Sequence, residues 1–172
     1  PSLTRTEVAN YDLLFTQTGA DLCTWYNRGL SWLGRIAAIK MVSLPRILFV
    51  MQSLPLQAPP NAIPTFQQIL ESFLWANKWP RMVCTHLYLP VRDGGLGVPN
   101  LRNYYLAAQL RFMVEWHRPA SEKHWCFIDQ AIAGVHIWKV PWLQRRHRPS
   151  GVYSSPVLGS TMSAWESVAE SK

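Results

Sequence analysis

LSWLGRIAAIKMVSLPRILFVMQSL, running from Leu30 to Leu54, is the most apolar stretch of the chain, yet three cations, Arg35, Lys40 and Arg46, are set through it. Ser31 precedes the run and can cap a helix that starts at Trp32, because its hydroxyl accepts one of the amides the first turn leaves unpaired. Trp32, Ile36, Ile39 and Ser43 recur at helical spacing, with Leu33, Ala37, Lys40 and Leu44 in the adjacent row. Pro45 has no N–H and its ring clashes one turn back, so this helix is predicted to end or kink near Leu44. The segment RILFVMQSL should come next as a second short helix or strand. From Ile36 to Leu56 the apolar content suits a bilayer, which needs about 20 apolar residues. Lys40 and Arg46 would then lie near mid-membrane at about 2.5–3.5 kcal/mol each, and Pro45 adds a further disruption. A buried helix with cations at its margins fits the stretch better than a span.

Working outward, Tyr11, Leu14, Phe15, Leu22 and Trp25 partly follow helical spacing between Asn10 and Tyr26, with Gly19 as an interruption, and residues 1–9 read as a tail. Asn27, Arg28 and Gly29 read as a helix exit. LQAPPNAIP, Leu56 to Pro64, is a Pro-rich connector. Beyond it Phe66, Ile69, Leu70, Phe73 and Leu74 form an apolar stripe, capped by Thr65 and running to about Ala76. Trp75 continues that stripe into the core, while Trp79 is open to either a core or a stacking role. Lys78 and Arg81 suit the negative end of the helix dipole or a phosphate backbone. MVCTHLYL, Met82 to Leu89, has β-compatible character. Gly94 and Gly95 predict a tight turn, and GGLG has neither dinucleotide-loop spacing nor a P-loop Lys. Asn100 can cap a helix from Leu101 to about Trp116. Pro119 to Lys123 is a break, and Trp125 to Val135 a further short helix. In IWKVPWLQRRHRP, Trp138 and Trp142 interleave with Lys139, Arg145, Arg146 and Arg148, a pattern that serves phosphates and bases or a solvated loop alike. The Ser- and Gly-rich end from Ser150 to Lys172 is expected to be disordered.

The formal charge is +7 and the pI about 9.7, and from Arg28 to Arg81 six cations face one anion, Glu71. Such a surface favours polyanions, nucleic acid before anionic membrane. The 9 Trp exceed what a small core ordinarily holds and suit large helix contacts or a stacking surface. Cys23, Cys84 and Cys126 are odd in number and form no C-x-x-C, so no disulfide framework follows. His117, His124 and Cys126 come nearest to a ligand cluster, but their spacing matches no metal motif. No metal or cofactor is expected. PSLTRTEVAN lacks the apolar core of a signal peptide, and the chain lacks an initiator Met, so the expectation is a fragment or processed chain in the cytoplasm or nucleus.

Trp25, Ser31, Gly34–Arg35, Lys40, Leu44–Pro45, Leu54–Pro55, Phe73–Trp75, Lys78, Arg81, Gly94–Gly95, Pro99 and Tyr104–Tyr105 occur in an order and spacing that resembles the reverse transcriptases of non-LTR, LINE-type retrotransposons, over about residues 10 to 115. The resemblance implies the region after the palm, a helical thumb over 10–116 that holds template RNA and growing DNA; the segment after Trp116 matches less well and reads as a diverged connector over 117–149 or as read-through from a genomic copy. Together with the residue patterns, the expected fold is a mainly α, thumb-like bundle with a short β-like or extended segment near 82–90 and disordered ends. By the same resemblance Arg35 and Lys40 lie near the nucleic-acid backbone. With Arg46, Lys78 and Arg81 they make up the expected nucleic-acid-binding set. The partners implied are RNA or an RNA–DNA hybrid, and the missing palm domain.

The departures are chemical. Two-metal phosphoryl transfer needs carboxylates to hold the ions, and none of the ten acidic residues is adjacent to another. Asp12, Asp21 and Asp93 sit in no such motif, so no catalytic residue and no enzymatic activity is expected. Three roles remain. The first is a non-catalytic part of a retrotransposon polymerase that contacts template and primer backbones. The second is a translated relic without binding activity, and the third a membrane-associated protein using residues 30–54.

Overall fold

A computed structural model describes residues 3–54, 56–76, 78–118 and 124–170; the break at 119–123 and the mark at Pro55 lie outside them. The described residues are mainly helical and contain no strand. The chain folds as two compact units, Pro1–Val50 with Ala58–Tyr105, and Met51–Gln57 with Leu106–Lys172.

In the first unit, α1 runs unbroken from Leu3 to Tyr26, then α2 from Trp32 to Ala38. The expected tail over 1–9 is therefore corrected from Leu3 onward, and Gly19 does not interrupt. A mid-helix Gly costs roughly 1 kcal/mol, which is outweighed by burial of Tyr11, Leu14 and Leu22 along one face. Between Ala38 and Leu44 the chain widens into a π-helical turn, Ile39–Ser43, in which the Leu44 amide reaches back to the Ile39 carbonyl. α3, Leu44–Ser53, continues at once. The regular α-helix thus gives way just ahead of Leu44, as Pro45 predicts: its missing N–H and its ring disturb the ladder one turn back, and the π-helical turn absorbs that disturbance while the chain continues into α3. Ile47 and Met51 are buried on α3 while Phe49 is exposed.

α4, Ala62–Trp75, starts earlier than the Thr65 cap predicts; Asn61 is its N-cap residue, in a left-handed conformation, and Pro64 sits in the first turn. Of the stripe, Phe66, Leu70, Phe73 and Leu74 are buried, as is Trp75, which continues it, while Ile69 is half-buried on the margin facing a groove. Phe15 stacks on Phe66 at 4.0 Å between ring centroids. Burying each such side chain contributes about 1.5–3 kcal/mol.

The β-like segment expected near 82–90 is corrected: Cys84–Tyr88 is a short helix, α5, flanked by extended Val83 and Leu89. Among the described residues there is no strand for a run bounded by Pro80 and Pro90 to pair with. Its carbonyls are taken by a returning loop instead, Leu96 N–H donating to His86, Gly97 to Leu89 and Val98 to Leu87 at 2.8–3.2 Å. Gly94 turns that loop at φ 81°, and a Cβ on Gly95 would stand 2.1 Å from the Leu89 oxygen. Leu87 and Val98 join Ile36, Leu74 and Trp75 in one cluster. Asn100 then caps α6, Leu101–Trp116, accepting from the Asn103 amide at 3.2 Å.

In the second unit, α7 (Trp125–Ala133) ends at left-handed Gly134, and 3₁₀ turns occupy Ile137–Trp142 and Arg145–His147. The expected disorder from Ser150 is corrected by α8 (Ser150–Ser154) and α9 (Pro156–Ala169). Ser155 caps α9, Pro156 fills its first position, and Leu158 and Met162 are fully buried with Val140 and Val152. Ser and Gly composition masks an apolar stripe that Leu158, Met162 and Trp165 carry at helical spacing. Gln109, fully buried, donates to the Leu56 carbonyl and accepts from Ser160. Burial raises the Asp129 carboxyl above its ordinary 3.8, and the Trp116 indole N–H, 3.1 Å away, partly offsets this.

Two outcomes are expected from denaturation midpoints. Gly95→Ala should destabilise by more than about 1 kcal/mol, since it meets backbone rather than a movable side chain, whereas Gly19→Ala should stabilise by about 0.5–1 kcal/mol. For Asp129, a raised folded pKa means the native state binds the proton more tightly than the unfolded one. Its contribution is therefore most favourable below about pH 3.8 and is lost as pH rises through the folded value. Asp129→Asn keeps an acceptor for Trp116, so its stability relative to wild type should grow from about pH 3 to about pH 7; a difference independent of pH would refute the burial assignment.

Candidate nucleic-acid interface

The site begins with a helix end. The last carbonyls of α4 have no intrahelical partner and need donors. Ala76 adopts a left-handed conformation at φ 54°, and its amide turns back to the Phe73 carbonyl at 3.2 Å. The same carbonyl accepts from Arg35 Nη1 at 2.6 Å, and Arg35 Nε donates to the Leu30 carbonyl at 3.2 Å. The guanidinium lies over the rings of Tyr26 and Phe73, 5.2 and 5.4 Å from their centroids. Tyr26 in turn donates its hydroxyl to the Ala76 carbonyl. Ser31, whose hydroxyl accepts from the Gly34 amide, sets the start of α2 so that Arg35 faces this end. A cation at the negative end of a helix adds dipole stabilisation to the hydrogen bonds.

Beyond that fastened end the chain turns outward. Lys78 donates its amide to the Trp75 carbonyl at 3.0 Å, and Lys78, Trp79 and Arg81 all face solvent. They line a groove of about 260 Å³ together with Trp32, Trp75 and Arg35. Trp32 meets buried Trp75 edge-on at 5.2 Å and is 39% exposed itself; Trp79 is 90% exposed. None of the described residues lining the groove is an acid. The arrangement offers positive charge and aromatic surface and no carboxylate to hold a metal.

The five expected binding residues therefore divide. Arg35, Lys78 and Arg81 come together at the groove, but Arg35 is buried and spends its donors inside the protein. Lys40 is exposed on the π-helical turn, where its ammonium lies 3.3 Å from the position of a Cβ on Gly97. Arg46 pairs with Asp21. Periodicity places Trp32 only as a member of an apolar row; its position before Gly34–Arg35, at the capped start of a helix, is the signal that it can stand at an end.

The second basic and aromatic segment is largely used in its own unit. Arg148 donates to the Leu143 carbonyl, to the Tyr153 hydroxyl and to Glu166. Trp165 donates to the Pro141 carbonyl and meets Trp142 edge-on, and Lys139 lies over Trp138 at 5.1 Å. Two larger grooves differ in character. One of about 500 Å³ between α1 and α4 is lined without a charged side chain. One of about 600 Å³ holds His117 and His136, and His117 Nδ1 is 2.9 Å from the Met113 carbonyl. Among the described residues no three His, Cys, Asp or Glu side chains are grouped so as to hold a metal ion, and no helix is long and apolar enough to cross a membrane. The stretch from Leu30 to Leu54 is instead divided among α2, the π-helical turn and α3. No protein-family model matches the chain.

Arg35→Ala is expected to lower stability by about 2–3 kcal/mol, because it leaves the Phe73 carbonyl without its charged donor. Lys78→Ala and Arg81→Ala should stay within about 0.5 kcal/mol of wild type. Urea midpoints of the three variants check this ordering.

Proposed function

We propose that this chain is a non-catalytic, nucleic-acid-contacting helical part of the kind that succeeds the palm in a LINE-type reverse transcriptase. Its role is to hold the backbones of template RNA and primer DNA. The observation that carries this reading is the groove at the exit of α4, where Lys78 and Arg81 are exposed beside Trp79 with no acid in the described lining. The ordered marks from Trp25 to Tyr105 and the excess of cations between Arg28 and Arg81 support the same reading. Lys40 adds an exposed cation on the same unit. Arg35 serves the interface from inside, by fixing the helix end from which Lys78 and Arg81 project. Phosphate contacts position a nucleic acid without reading its sequence, which suits a part that must hold any template.

A second reading is favoured by a different surface. Leu33, Met41 and Phe49 are 68%, 73% and 70% exposed at multiples of four residues along the stretch that organises the first unit. Such a row belongs under a partner, for which the palm of a parent polymerase is the candidate. A relic separated from that partner would fold and yet bind nothing.

Binding of an RNA–DNA hybrid, measured over a salt series, separates the two. The first reading predicts that log K falls linearly with log salt, and that Lys78→Ala and Arg81→Ala each lessen the slope by roughly 0.7–0.9. Arg46→Ala, whose guanidinium is engaged by Asp21, should change it less. A folded chain with no salt-dependent binding would leave only the relic.

A further inference from the structure

We propose that Trp79 is a stacking platform for one unpaired base, so that the groove selects a single-stranded or overhanging nucleotide over a closed duplex. This platform presupposes the backbone-contacting role proposed above for Lys78 and Arg81.

Two tryptophans four residues apart at the end of α4 have opposite fates. Trp75 is 6% exposed and packs in the core, while Trp79 is 90% exposed. An indole left almost wholly in water contributes little to folding, because its large apolar face covers nothing. Its presentation is nevertheless controlled. Pro80 restricts the preceding residue to extended backbone, and the helix end before it is fastened by Arg35 and Tyr26. The backbone that carries the ring is thereby restricted, while the indole face itself is left open to a planar group.

The charges around the ring identify that group. Lys78 precedes Trp79, Arg81 lies two residues past it, and the described lining holds no carboxylate. Two extended residues carry Arg81 roughly 7 Å beyond Trp79, within reach of a phosphate attached to a stacked base. The groove, at about 260 Å³, falls just below the range of small-molecule sites, about 300–1,000 Å³. Its lining includes both Trp79 and Trp32, and its volume suits one flat group better than an extended ligand. A base inside a closed duplex has both faces covered by its neighbours, and a blunt end presents a joined pair rather than one base; an unpaired base offers a free π-face, and aromatic stacking on it is tolerant of sequence. Cations alone would not distinguish the two, since both strand states present phosphates.

The test uses the full chain with two probes of equal length, a single-stranded RNA and a blunt RNA–DNA hybrid, each end-labelled and titrated over a salt series by anisotropy. Wild type should prefer the single strand. Trp79→Ala should lose about tenfold in affinity for the single strand, little for the blunt hybrid, and leave both salt slopes unchanged. Trp79→Phe should keep most of the preference. If Trp79→Ala weakens both probes equally or neither, while salt-dependent binding persists, the platform is wrong and the backbone-contacting role stands. If the folded wild type shows no salt-dependent binding to either probe, both fall together.

Discussion

The hydrogen bond from Arg35 to the Phe73 carbonyl joins the start of the central helical stretch to the end of α4. Without it that carbonyl would keep, among the described residues, the Ala76 amide, and a buried guanidinium would lose its shortest acceptor. The charge of the guanidinium is compensated by the helix dipole and by the faces of Tyr26 and Phe73; among the described residues no carboxylate is paired with it. A carboxylate placed here to neutralise Arg35 would stand in the groove and repel a polyanion. Carbonyls and rings hold the cation while leaving the described lining free of acid.

Fastening and exposure are therefore divided between residues. Arg35 is an internal clamp, and the residues after Ala76 carry the outward charge. The first unit devotes its buried apolar surface to α1, α2 and α4, with Phe66 stacked on Phe15 and Trp75 against Trp32. The 84–100 segment closes that core from the other direction by folding a glycine-turned loop back onto α5. The second unit solves the same problem with shorter pieces, tied by Arg148, Gln109 and Trp165 to carbonyls and hydroxyls of neighbouring segments.

Local signals are legible wherever their cause is local. Ser31 and Asn100 cap the helices they precede, most of the Phe66–Leu74 stripe is buried, and Trp75 continues it into the core. The misses arise where the deciding partner is distant or composition misleads. A cation in an apolar helix reads as a surface charge, and nothing near Arg35 in the chain announces an acceptor at Phe73. The Met82–Leu89 run looks like a strand because Val, Tyr and Thr favour one, but a strand needs a ladder, and here the available amides belong to a glycine loop. The small residues between Ser150 and Ala169 suggest disorder, yet Leu158 and Met162 recur at a spacing that buries them. Of the groove, Lys78 and Arg81 are visible from charge alone; the burial of Arg35 and the exposure of Trp79 require the fold.

In the proposed role the exit of α4 faces nucleic acid while Arg35 stays inside. Amide hydrogen exchange of the full chain, with and without a saturating RNA–DNA hybrid at low salt, tests this. Added protection is expected from Ala76 to Met82 and at the start of α2, with exchange in the α4 interior unchanged. Protection elsewhere with none at the α4 exit, or no change on adding the hybrid, would contradict it.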